Sequence, residues 1–116
     1  MDLKLAQVIA CFFSAEERRD TEAMSQCFAD GAIVRDEGRS VQGHAAIQEW
    51  QLETKKKYQH TIQPLASAEK DGKTIVTARL TGNFPGSPVD LQFVFTIEAE
   101  KIVSLDVWGR LHIART

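Results

Sequence analysis

The chain has 116 residues, 43% hydrophobic and 26% charged, and its 14 basic and 16 acidic side chains give a formal net charge of −2. That length suits one domain, residues 1–116, and buries roughly two-thirds of its unfolded surface, so a core needs neither disulfides nor a structural metal. The charge balance excludes a strong nucleic-acid field, no apolar run approaches the ~20 residues that span a bilayer, and Met1-Asp2-Leu3-Lys4 leads into no signal-peptide core.

Leu5, Val8, Ile9, Phe12 and Phe13 recur at helical spacing, which predicts an amphipathic helix over residues 3–18 closed by Glu16-Glu17-Arg18-Arg19. Asp20 is placed to cap a second helix with Met24, Cys27 and Phe28 on its buried face, and Asp30-Gly31 breaks it. Cys11 and Cys27 thus fall among apolar residues as buried free thiols, which fits a reducing cytoplasm. Ala32 to Glu37 reads as a strand, Gly38 as a turn and Ser40-Val41 as a short second strand. Gly43 opens a third helix carrying Ile47, Trp50 and Tyr58 on one side, and Lys55-Lys56-Lys57 near its end complements the helix dipole.

From residue 60 the pattern changes to strands. His60–Glu69 and Lys73–Phe84 flank Asp71-Gly72, a hairpin signal, and Pro85-Gly86-Ser87-Pro88 makes the next turn. Val89, Leu91, Phe93, Phe95 and Ile97 alternate with polar residues, so one face is buried, and Ile102–Trp108 is the last strand. Helices first and hairpin-linked strands later predict an α+β fold, a cone-shaped, curved antiparallel sheet wrapped by three helices around a concave apolar interior.

Cys27 to Asp36, CFADGAIVRD, together with Gly43-His44-Ala45-Ala46-Ile47 and Lys101-Ile102-Val103-Ser104-Leu105, resembles the nuclear transport factor 2-like superfamily. The likeness is to its SnoaL-like polyketide cyclase and ketosteroid isomerase branches. It covers nearly the whole chain and implies the α+β barrel, cystatin-like cone better than it implies a reaction.

Asp36 shares its strand face with Ala32 and Val34, so its carboxylate either enters the apolar interior as a proton acceptor or ends the strand facing water. The resemblance implies the first role, because ketosteroid isomerases carry their catalytic aspartate at this position. The matching oxyanion-hole tyrosine falls on Phe12, which lacks a hydroxyl, a loss usually worth ~3 kcal/mol or more. Asp106 is a second candidate acid, since cyclases of this kind can place one on the last strand beside an aromatic residue, here Trp108. Asp106 and Trp108 share a face whose direction alternation leaves open. His60 lies either at a pocket mouth as a proton shuttle or on the surface.

Phe12, Phe28, Trp50, Phe93, Phe95 and Trp108 are the aromatic candidates to line a cavity, and core packing alone also accounts for each. Arg35 and Glu37 read as a weak surface pair or as residues facing a partner subunit, and Arg79 as a surface or subunit contact or an anion-binding arginine in the pocket. His44, His60 and His112 form no metal-ligand spacing, so no metal and no cofactor are expected. The partner expected is a small apolar molecule. Two functions remain open: a cofactor-independent isomerase, cyclase or dehydratase using Asp36, and a non-catalytic hydrophobic ligand-binding or protein-interaction module of the same shape. Ile75, Val94 and several threonines on the outer sheet face point further to a homodimer.

Overall fold

The computed structural model describes residues 5–58 and 60–109. The start of the first helix at residue 3, the side chain of Tyr58, and His112 in the tail lie outside the described residues. Helix α1 (Gln7–Arg18) buries Ile9, Phe12, Phe13, Ala15 and Glu16 along one face. Asp20 caps α2 (Thr21–Gln26), its Oδ1 accepting from the Ala23 N–H at 3.0 Å.

Two expectations change at the next junction. Phe28 begins strand β1 (Phe28–Asp36) instead of extending α2, and Asp30-Gly31 falls inside that strand. The cause is long-range. Lys101–Trp108, strand β6, runs parallel to β1 from the Phe28–Ile102 pair onward, and the Ile102 N–H donates to the Cys27 carbonyl at 2.9 Å. A register shift between Phe28 and Ile33 absorbs the Asp30-Gly31 segment as an irregularity.

Strand β2 (Arg39–Gln42) pairs back on β1, and Gly43, at φ 91°, turns the chain into α3 (His44–Tyr58). Strands β3 (Thr61–Lys70), β4 (Lys73–Thr81) and β5 (Val89–Glu98) follow as antiparallel neighbours. The sheet order is β2-β1-β6-β5-β4-β3. It is therefore a mixed sheet, antiparallel except at β1–β6, and it is curved and unclosed. Register shifts at Pro64/Ala66 and Thr96/Ile97 introduce local bends.

The concave face carries Ala32 and Val34 of β1, Val76, Ala78 and Leu80 of β4, Leu91, Phe93 and Phe95 of β5, and Leu105 and Val107 of β6, all buried. Phe12 of α1 stands at the centre of this core, with ring centroids 5.1–6.3 Å from those of Phe13, Phe28, Phe93 and Phe95. Cys27 is buried as expected. Cys11 is not: it is exposed, lying outside the stripe formed by Ile9, Phe12 and Phe13.

Candidate functional site

Asp36 occupies the last inward position of β1, after Ala32 and Val34, and only 4% of it is exposed. Pairing of Asp36 with Arg39 across the Glu37-Gly38 turn fixes where the strand ends. The Trp50 indole N–H on α3 donates to Asp36 Oδ2 at 2.9 Å. A buried carboxylate needs such donors, because desolvation penalises its charge. The pair joins the end of β1 to the middle of α3 and presents a fixed carboxylate oxygen.

Around the C-terminal half of α3 the structure gathers further buried polar groups. Gln51, Thr54 and Lys55 follow Ile47 and Trp50 on the inward side of the helix, and His60 follows at its exit, 1% exposed. Lys55 Nζ lies 3.2 Å from Glu16 Oε2 on α1 and donates to the His60 carbonyl at 3.4 Å. His60 Nε2 stands 3.7 Å from the same Glu16 oxygen, a charge contact longer than an ordinary hydrogen bond. Burial by itself raises the Glu16 carboxyl, but the neighbouring His60 imidazole and Lys55 ammonium outweigh it and hold the group below the ordinary carboxylate value.

This cluster was missed in the sequence, although a signal existed. Glu16 continues the 9-12-13-16 stripe, and Lys55 the 47-50-51-54-55 stripe. Read locally, Glu16 closes the apolar stripe of α1 and Lys55 complements the dipole at the end of α3. The interior placement of His60 follows from its parity with Ile62 and Pro64 in the strand it precedes.

The other sequence candidates separate from this region. Asp106 and Trp108 lie on the convex face, opposite Leu105 and Val107, because β6 pairs Val107 with the inward Phe93. Trp108 is 63% exposed and so does not line the interior. Asp106 accepts from Arg35 Nη1 at 3.2 Å, so β6 supplies an acid beside Arg35 on the outer face. Arg79 pairs with Asp90 on the same outer face. Phe12, Phe28, Phe93 and Phe95 are at most 1% exposed and Trp50 is 3% exposed. The rings of Phe12, Phe28, Phe93 and Phe95 pack within one aromatic cluster, and Trp50 holds Asp36.

Among the hollows lined by described residues, two lie outside that aromatic core. One, about 1130 Å³, runs along α1 between Val8, Cys11, Cys27, Ile97 and Lys101. The other, about 430 Å³, is formed by Arg19, Thr21, Gln51, Leu52, Lys55 and Lys56. Among the described residues no three His, Cys, Asp or Glu side chains gather as metal ligands, and no helix is long and apolar enough to cross a membrane.

Comparison with known proteins locates this arrangement. Among curated proteins none matches the chain. A solved structure from Sinorhizobium meliloti, provisionally designated a polyketide cyclase, is 39% identical, with 89% of this chain and 94% of that chain covered and a TM-score of 0.85. SalBIII, an epoxide hydrolase/cyclase-like enzyme with a role in pyran ring formation in the polyether salinomycin, shares the fold at 24% identity. There the coverage is 89% and 88%, with a TM-score of 0.74. A Catenulispora acidiphila protein with a ketosteroid isomerase-like fold, solved with trimethylamine, matches at 15% identity, 91% and 87% coverage and a TM-score of 0.78. The SnoaL-like domain profile matches residues 9–105, and with the cone and its inward Asp36 in place the chain belongs to the SnoaL-like family of the nuclear transport factor 2-like superfamily.

Proposed function

We propose that this protein is a cofactor-independent isomerase or cyclase acting on a small apolar cyclic molecule, with Asp36 as the general acid/base. The observation that carries this reading is the Asp36 carboxylate, 4% exposed on the concave face and oriented by the Trp50 indole. A carboxylate so held can take a proton from a carbon beside a carbonyl and return it to another atom of the same molecule. No co-reactant is consumed in such a step. Alternatively its acid form can protonate an oxygen that leaves as a ring closes. Membership of the SnoaL-like family and the likeness to a provisional polyketide cyclase support this class.

Phe12 supplies no hydroxyl, so a substrate oxyanion must be met by another donor or by water. Apolar enclosure then contributes mainly through positioning. That missing hydroxyl at Phe12 favours a second reading, a ligand-holding module without turnover. A thermal-shift screen of cyclic ketones, terpenoids and aromatic polyketides, followed by product analysis of each hit, separates the two. Ligand at a hundred times its dissociation constant stabilises by ~2.7 kcal/mol. Product formation lost in Asp36→Asn with stabilisation retained supports the enzyme; stabilisation without product from any hit supports the module.

The homodimer belongs to the same proposal. Ile75 and Val94 are paired across β4 and β5 on the convex face, half-buried, with Trp108 exposed nearby on β6. A two-fold pair of such faces would cover them. Light scattering at micromolar concentration tests it, and a monomer there refutes it.

A further inference from the structure

Cys11 on α1 and Cys27 at the end of α2 are walls of one hollow, the space of about 1130 Å³ along α1. The chain brings them there by turning back on itself. Arg19 ends α1 in left-handed backbone, φ 57°, and Cys11 and Cys27 are equally far from it along the chain. Both arms line the hollow, α1 with Ser14 and Arg18 beside Cys11, and α2 with Ala23 and Gln26 beside Cys27. The chain has no other cysteine, so within one molecule each thiol has only the other to pair with.

The two thiols differ in access. Cys11 is exposed, whereas Cys27 keeps 6% exposure. Cys27 Sγ donates to the Ala23 carbonyl at 3.5 Å, and Ala23 is itself a wall, so the sulfur stands on the hollow's α2 side. Burial raises the Cys27 thiol, and negative charge on Cys11 raises it further, an effect that acts only over a short separation. Lys101 and Arg18, two more walls of the hollow, pull the other way.

We propose that Cys11 and Cys27 are a reversible redox pair, oxidised by hydrogen peroxide to a disulfide that clamps α1 to the junction of α2 and β1. The exposed Cys11 thiolate attacks a peroxide oxygen, the O–O bond breaks, and hydroxide leaves to become water, so Cys11 is now a sulfenic acid. The Cys27 thiolate then attacks the Cys11 sulfur; the S–S bond forms, the S–O bond breaks, and a second water results. Two thiols are oxidised and one peroxide is reduced to two waters. Once Cys11 is a neutral sulfenic acid, its charge no longer opposes ionisation of Cys27, while Lys101 and Arg18 still favour it. The clamp fixes the helix that carries Phe12 into the aromatic core. It needs nothing from the Asp36–Trp50 pair, so it stands if the catalytic reading fails.

The test treats the full chain with hydrogen peroxide under native conditions, blocks remaining thiols with iodoacetamide in denaturant, and maps peptides without reductant. The expected product is a monomer lighter by two hydrogens, with the Cys11 and Cys27 peptides joined, and dithiothreitol restores the starting mass. Cys27→Ala should stop at a Cys11 sulfenic acid that dimedone traps, and Cys11→Ser, which changes only an exposed side chain, should give neither product. The oxidised monomer should melt several degrees above the reduced one, because the cross-link closes a loop in the unfolded chain. Cys27 left free after Cys11 is oxidised, a Cys11–Cys11 link between two chains, or an oxidised monomer that melts no higher than the reduced form overturns the proposal.

Discussion

The Lys55 ammonium and the Glu16 carboxylate meet at 3.2 Å between α3 and α1, with side-chain exposures of 9% and 3%. Two charges removed from water in this way are held by each other, so removing one leaves the other stranded. Lys55→Met is expected to destabilise the fold by ~3–5 kcal/mol, whereas Glu16→Leu combined with Lys55→Met recovers most of that loss. Urea unfolding of the two single variants and the double variant measures the coupling.

The same pair sets an acid limit. The folded value of Glu16 is depressed below its unfolded value, so its contribution is present above the unfolded value of ~4.3 and is lost as pH falls through the folded one. Melting temperature should therefore drop below about pH 4 in the wild-type protein. Glu16→Gln should be less stable at neutral pH and show a shallower acid limb. A Glu16→Gln curve parallel to wild type would remove Glu16 from the account.

Asp36 and Trp50 give a different signature. Trp50→Phe removes the indole N–H donor at 2.9 Å from a 4%-exposed carboxylate and should cost ~1–3 kcal/mol before any loss of packing is added. Asp36→Asn should abolish turnover of any substrate found, while Asp106→Asn, on the convex face, should leave it unchanged. Product assays on purified variants decide this.

Gly109 lies just past β6 with φ 107°, and a Cβ there would stand 2.8 Å from Leu91 Cδ2. Leu91 is fully buried, so the side chain cannot swing out into water. Gly109→Ala should destabilise by more than ~1 kcal/mol. Gly86→Ala meets nothing within 4 Å at φ 88° and should cost less, since only the backbone conformation opposes it. Thermal melts of the two variants compare the terms directly.

The two thiols should differ in reactivity. Burial pushes the Cys27 thiol up to about 11, and Cys11 is exposed. Under native conditions at mildly alkaline pH, iodoacetamide should modify Cys11 and spare Cys27, with both reacting after denaturation. Mass spectrometry of the alkylated peptides reads the outcome.

Much of this protein was legible along the chain because the information was local. Helical spacing in α1, the Asp20 cap, the Asp71-Gly72 hairpin and the alternation of β5 each depend on residues a few positions apart. Parity gave Asp36 the same strand face as Ala32 and Val34. Whether its carboxylate entered the interior or met water was decided by the packing of α3, whose Trp50 donates to it. Tertiary structure decided whatever required a distant partner. Phe28 became a strand residue because β6, over seventy positions later, pairs with it. Asp106 and Trp108 faced outward because Val107 met Phe93. Glu16 and Lys55 could be neighbours only once α1 and α3 were packed together, and a charged residue's burial depends on the partner that makes it tolerable. Periodicity states which residues share a face; it does not state what that face will meet.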